Sequence, residues 1–268
     1  MRRKTKQPAS DPGTLIYMIH GMWGNAGVWD AYRLSYEKAG YTCVVPTLRH
    51  HDLTPGREPS TAQGTTSLLD YAADLEAEIR QLPEKPIIIG HSMGGLLAQM
   101  LAARGLCRAV ILLNPASPWG IFSLYPSVLV IFLGYLLRWG FWRKTHKPGY
   151  YSASFCLLNR ITPRSRREIY QTFTYEQGRA IADVGLRWLD RSKSSHVDES
   201  KVKCPMLVVG GRQDNITPAR GVRKVAAKYK EVSHYVEYPE LAHWCLGEKG
   251  WEEIVQMSTQ WLKGHRGA

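Results

Sequence analysis

Ser92 lies in Gly90-His91-Ser92-Met93-Gly94, a G-x-S-x-G pattern set between an apolar run and an Ala/Leu-rich segment. A serine hydroxyl is a weak nucleophile until a base removes its proton, and the base needs a third group to fix its tautomer. For a serine on a strand-to-helix turn, the partners follow in the order carboxylate, then histidine, each on a loop after a later strand. Asp214, in "PMLVVGGRQDNITP", and His243, in "HYVEYPELAHWCLGE", occupy those two places. His234 falls within a predicted strand and His265 in a terminal tail, so neither competes with His243. The expected chemistry is attack of Ser92 on a carbonyl carbon, with His243 as base and Asp214 as its orienting carboxylate. Two backbone N–H groups should face the charge that develops on the carbonyl oxygen. One belongs to Met93, next to the nucleophile. The other belongs to Met22, in His20-Gly21-Met22-Trp23-Gly24, with Trp23 next in line.

Such residues need a scaffold that brings them together. Residues 86–89 form a short apolar run, as a buried strand does, and 96–103 are strong helix formers without a breaker. The turn between them must be tight, and Gly90, Gly94 and Gly95 leave room for Ser92 in a strained conformation. Further strands are expected at 14–20, 41–48, 109–113, 205–210 and 234–238. Helices are expected at 29–39, closed by Gly40, and at 67–82, 175–189, 218–229 and 251–262. This alternation predicts an α/β fold with a mostly parallel sheet flanked by helices. The regularity breaks at Asn114-Pro115. Residues 1–118 and 198–268 then read as two parts of one core, and 119–197 as an inserted helical lid over the carboxyl ends of the strands, where such sheets bind ligands.

The chain has 268 residues, 44% hydrophobic and 22% charged, with a formal net charge of +12. That size suits one large domain, and the charge favours anionic surfaces without choosing among them. Nucleic-acid binding would need a motif or interleaved aromatics, and neither is present. Five scattered cysteines without a C-x-x-C pair suggest small buried thiols in a reducing compartment. The basic stretch 1–13 is followed by no signal-peptide core, so a cytoplasmic protein is expected. His50, His51 and Asp52 adjoin one another, but neighbours on a loop seldom point at one ion, and polar contacts are expected there rather than a metal.

Residues 109–137 carry no charge, a length that could span a bilayer. Its start is claimed by a strand, however, and Pro115, Pro118 and Pro126 interrupt it, so a lid helix at 127–139 is expected instead. Trp119, Phe122, Tyr125, Phe132 and Trp139 would suit an acyl or aromatic pocket, and Trp23 and Trp119 are the candidate substrate contacts. Arg143, Lys144, His146, Lys147, Arg160, Arg164, Arg166 and Arg167 follow the apolar helix. An apolar helix beside a basic face suits weak contact with an anionic membrane surface, while the plainer reading is a solvated face.

The motifs "HGMWG", "GHSMGG", "GRQDNITP" and "ELAHW", in that order, make the chain resemble the α/β-hydrolase superfamily. Within it, the resemblance is to serine esterases and lipases of the monoacylglycerol-lipase-like and carboxylesterase type. The resemblance runs from about residue 14 to the C-terminus and leaves only the insertion without a motif. It implies a Ser92–Asp214–His243 triad, no cofactor, and hydrolysis of carboxylic esters with short to medium acyl chains, monoacylglycerols among them. Serine at the turn speaks against the dehalogenase and epoxide-hydrolase branches, which place aspartate there. Only about thirteen residues precede the first strand, so the hairpin that opens the eight-stranded family sheet should be missing and roughly six strands remain. "LRHHDLTPGREP" stands where many relatives carry a D-x-x-G-H-G-type loop. A thioesterase or a C–C bond hydrolase could use the same parts. So could a catalytically silent, membrane-associated binding module retain them. The oligomeric state stays open.

Overall fold

A computed structural model describes residues 14–52, 61–122 and 125–265. The basic stretch 1–13, on which the expectation about a leader rests, lies outside them, as do residues 53–60 of the "LRHHDLTPGREP" loop. Eight strands are present among the described residues: β1 (Leu15–Ile19), β2 (Thr42–Val44), β3 (Ile87–His91), β4 (Ala109–Leu113), β5 (Thr145–His146), β6 (Glu176–Gln177), β7 (Met206–Gly211) and β8 (Ser233–Tyr238). Six of them form one sheet in the order β2-β1-β3-β4-β7-β8, parallel throughout. The remaining two form a short antiparallel ribbon, with His146 opposite Glu176.

The sheet follows from its residues. Every side chain of β1, β3, β4 and β7 is buried, as parallel strands covered by helices on both faces require. Alternate residues point to opposite layers. Tyr17, Ile19, Ile88, Val110, Leu112 and Val208 join one core, while Ile16, Met18, Ile89, Ile111, Leu207 and Val209 join the other. The first layer holds α2 (Leu68–Ile79), α3 (Met93–Ala103) and α8 (Ala219–Lys228), and the second α1 (Asp30–Lys38) and α9 (Trp251–Gly264). Each fully buried Ile, Leu or Val contributes about 1.5–3 kcal/mol, so the central strands are the stable frame on which the loops are hung. The start of α2 is fixed by a capping box, in which Asp70 N–H donates to Ser67 Oγ and Ser67 N–H to Asp70 Oδ2.

Two expectations need correction at this level. The strand predicted at 41–48 is confined to Thr42–Val44, because Pro46 has no N–H to extend the ladder. The helix predicted at 175–189 becomes β6 followed by α7 (Gly178–Gly185). Glu176 is pulled out of helical geometry and buried, where its carboxylate accepts the Tyr71 hydroxyl at 2.8 Å and faces His51 Nε2 at 3.3 Å. His51 thus has a protein partner, and burial that opposes its charge is outweighed by Glu176, leaving its pKa raised.

Between β4 and β7 the chain forms α4 (Pro126–Leu136), α5 (Tyr150–Cys156), α6 (Pro163–Thr172), the β5–β6 ribbon and α7. The sequence reading had anticipated neither α5 nor α6. One stripe of α4, with Val128, Ile131, Phe132 and Tyr135, packs on Trp23, Leu157 and Phe173 in a third apolar cluster. Its opposite stripe, Leu129, Val130 and Leu133, is exposed, as are Leu137 and Trp139 just beyond it. No helix of the described residues is long and apolar enough to cross a membrane.

Candidate active site

Ser92 stands where β3 gives way to α3, and the backbone turns within that one residue. Its φ of 55° and ψ of −120° lie outside the regions open to ordinary L-residues. Hydrogen bonds hold it there: its N–H donates to Leu113 O at 3.1 Å, and its carbonyl accepts from Gly95 and Ala116 N–H at 2.9 Å each. The two flanking glycines are required by close approach. A Cβ on Gly90 would overlap the Gly94 carbonyl, and one on Gly94 would overlap the Ile19 carbonyl on β1.

Asp214 and His243 arrive on the loops after β7 and β8. His243 Nε2 lies 3.1 Å from Ser92 Oγ, and its Nδ1 lies 2.8 Å from Asp214 Oδ2. Asp214 Oδ1 accepts the N–H groups of Ile216 and Thr217 at 2.8 Å, and Oδ2 also accepts the Thr217 hydroxyl at 2.7 Å. Burial opposes the charge of Asp214, but His243 and these donors outweigh it and hold the carboxyl below its usual pKa. An ionised Asp214 takes the proton of Nδ1 in hydrogen bond and leaves Nε2 as the acceptor for the serine hydroxyl. The three residues therefore form one line of hydrogen bonds, assembled from three different strand ends.

Several supports of this line were not foreseen from sequence. Asn114, at φ 43°, donates through Nδ2 to Ala242 O at 2.7 Å and accepts Gly211 N–H on Oδ1 at 2.9 Å. It ties the end of β4 to the end of β7 and to the loop of His243. A buried Asn at a strand end, a residue that tolerates positive φ, was the available signal. His91 donates from Nε2 to His243 O at 2.9 Å. Burial, with the His243 ring beside it, lowers the His91 pKa to about 3, so it serves as a neutral strut. Glu248 accepts the Ala242 N–H at 2.8 Å, one residue before His243.

Met93 is the first residue of α3, so its N–H has no acceptor within the helix. Met22 sits in a tight turn closed by Gly24 N–H to Gly21 O at 3.3 Å, with Trp23 at φ 62°. The turn is anchored by His20, whose Nδ1 donates to Gly21 O at 2.8 Å while Nε2 accepts Leu48 N–H at 3.0 Å. Met22, Trp23, Ser92, Met93 and His243 all line one cleft, closed from the other side by Tyr125, Val128, Phe132, Leu157 and Arg187. Trp119 is not among the residues that line it. Its N–H donates to Ser195 O at 3.0 Å and its ring packs under Lys193, which keeps it with the 193–196 turn. Phe122 and Trp139 are exposed, so of the five aromatics expected in a pocket only Tyr125 and Phe132 reach it.

Comparison with known proteins agrees with this architecture. Residues 16–257 match the sequence model of the alpha/beta hydrolase family. A pimeloyl-[acyl-carrier protein] methyl ester esterase of Aromatoleum aromaticum is 25% identical over 256 residues, covering 84% of this chain and 93% of its own length. Protein ABHD8 of Bos taurus is 26% identical over 134 residues, which is 49% of this chain but only 30% of that protein. Among solved structures, a monoacylglycerol lipase of Paleococcus ferrophilus superposes with a TM-score of 0.69 at 20% identity, covering 94% of each chain. A thermophilic esterase of Thermogutta terrifontis gives 0.65 at 22% identity, covering 94% of this chain and 90% of the other. At those identities the two structures speak for the fold.

Proposed function

The chain belongs to the alpha/beta hydrolase family, and from that premise we propose that it hydrolyses carboxylic esters through an acyl-enzyme on Ser92. The observation that carries this reading is the unbroken line from Asp214 through His243 to Ser92, at 2.8 and 3.1 Å. In this mechanism Ser92 Oγ attacks the ester carbonyl carbon as its proton passes to His243 Nε2. Asp214 keeps Nδ1 protonated and stabilises the imidazolium that forms. The N–H groups of Met22 and Met93 receive the developing oxyanion. The C–O bond to the alcohol then breaks, and the leaving oxygen takes the proton from His243. Water repeats the sequence on the acyl-enzyme and releases the acid. These steps call for no metal or organic cofactor.

Residues 119–197 act in this reading as a lid, since α4 supplies the apolar wall above Ser92. That wall suits acyl chains of short to medium length, monoacylglycerols among them, and the methyl ester esterase relative accords with an ester substrate. The outer stripe of α4, with Arg138, Arg143 and Lys144 exposed beside it, suits docking on an anionic lipid surface. The five free thiols accord with a reducing, cytoplasmic setting.

Hydrolysis of p-nitrophenyl esters over a ladder of acyl lengths, wild type beside Ser92→Ala, tests the reading. Turnover should fall by about 10⁴-fold or more in the variant, because members of such a triad act as a unit. Labelling by an organophosphonate should be lost with it. Equal activity in both proteins would show that Ser92 is not the nucleophile, and activity on thioesters alone would move the assignment to that class.

A further inference from the structure

Two of the five thiols meet away from the active site. Cys107, between α3 and β4, and Cys204, just before β7, have their Sγ atoms 3.6 Å apart, in hydrogen-bond contact. Backbone bonds fix the chain beside both. Arg108 N–H donates to Pro86 O and Val110 N–H to Pro205 O, each at 3.0 Å, and Met206 N–H donates to Val232 O at 2.9 Å. The two thiols are unequal: Cys107 is buried, whereas Cys204 is partly exposed. The bond from the Cys107 thiol, helped by the Lys85 charge, holds the Cys204 pKa below its usual value against the effect of burial. The same bond, together with burial, raises that of Cys107. The remaining thiols are placed differently. Cys43 donates to Arg33 O and Cys156 to Ser127 O, and Cys245 is fully buried.

A thiolate that solvent reaches, with a second thiol in contact, is the arrangement in which oxidation ends at a disulfide instead of climbing to sulfinate. An S–S bond is about 2.0 Å long, so the two sulfurs have about 1.6 Å left to close. We propose that Cys107 and Cys204 form a redox-modification site, closed to a disulfide by a hydroperoxide, which clamps the two parts of the core across the inserted segment 119–197. In the first step the Cys204 thiolate attacks a peroxide oxygen and the O–O bond breaks. The departing hydroxide takes up a proton, leaving a sulfenic acid and, from hydrogen peroxide, one water. The Cys107 sulfur then attacks the sulfenic sulfur, its proton passes to the departing oxygen, and the S–O bond breaks to release a second water. The two thiols lose two electrons and the peroxide gains them. The bridge joins positions 97 apart and encloses the whole insertion. A closed loop of that length restricts the unfolded chain, so the folded state gains stability. The bridge lies before β4 and β7, at the opposite ends of those strands from Asn114 and Asp214. The proposal is independent of the ester-hydrolase reading.

The test treats the full chain with a small excess of hydrogen peroxide, alkylates the remaining thiols and digests it without reductant. Mass spectrometry should find one cross-linked pair of peptides, holding Cys107 and Cys204, that dithiothreitol removes. The melting temperature should rise by about 5 °C or more on oxidation and return on reduction. Cys204→Ser should abolish both the cross-link and the shift. Cys107→Ser should leave Cys204 to pass on to sulfinate, read as a gain of two oxygens in its peptide. If neither variant folds, the wild-type peptide map and its melting temperature decide the matter. Two unlinked thiols after oxidation would overturn the proposal, as would linkage through Cys43, Cys156 or Cys245 instead. A linked protein that melts no higher than the reduced one would overturn it as well.

Discussion

Glu248 shows how closely the loop of His243 is governed by single side chains. One carboxylate oxygen accepts the Ala242 N–H, while Oε2 is buried with no hydrogen-bond partner among the described residues. Burial, reinforced by the charge of Asp214, raises its pKa from 4.5 to about 7. Between those two values the folded state retains a proton that the unfolded chain has released, so Glu248 makes stability fall as pH rises through that window. Above pH 7 the penalty is complete, and below 4.5 it vanishes. Glu248→Gln keeps an acceptor for Ala242 and cannot ionise. Its melting temperature should exceed that of the wild type at pH 8 by a few degrees and match it at pH 5, as calorimetry at the two pH values would show. A constant difference between the two proteins would contradict the argument. Ser92, Asp214 and His243 could be read from sequence because each lies in a local pattern at a strand end. Asn114 and Glu248 could not, since their roles come from partners that only the fold brings near.

At the scale of elements, the site is a device for joining strand ends. Asn114 connects β4 to residues 97 and 128 positions later, at Gly211 and Ala242. Asn114→Ala would leave a buried N–H and a buried carbonyl unpaired and put a Cβ-bearing residue without a polar side chain at φ 43°. The expected cost is about 2–4 kcal/mol in a urea melt, with kcat falling as the loops of Asp214 and His243 lose their common anchor. A stable variant with full kcat would show that the strand ends hold the loops unaided. The central strands were legible because each is a continuous apolar run between breakers. The edge and the insertion were not. Pro46 shortens β2, and the two-residue ribbon β5–β6 carries Glu176 to its contacts with His51 and Tyr71. No periodicity announces such a contact. The outline of the sheet could thus be written from sequence, whereas α5, α6 and the path of 175–189 depended on packing against the core.

For the molecule as a whole, the distribution of exposed apolar surface is uneven. Among the described residues the large exposed apolar side chains lie within 119–197, apart from Leu34 and Leu69. With a net charge of +12, this face should bind vesicles containing anionic lipid and release them as salt is raised. Leu133→Glu combined with Leu137→Glu should reduce cosedimentation while sparing hydrolysis of a soluble ester. Equal pelleting with neutral vesicles at high salt would argue for simple adhesion. The parallel order of the sheet also has a consequence in time. Ser92 and His243 are 151 positions apart, an interval that a ribosome crosses in roughly 10–30 s. During synthesis the turn at Ser92 can be complete well before its base exists. A nascent chain arrested after β4 would hold a folded half-sheet and a silent nucleophile, so that competence is acquired in one late event, when β7 and β8 add their loops to the edge.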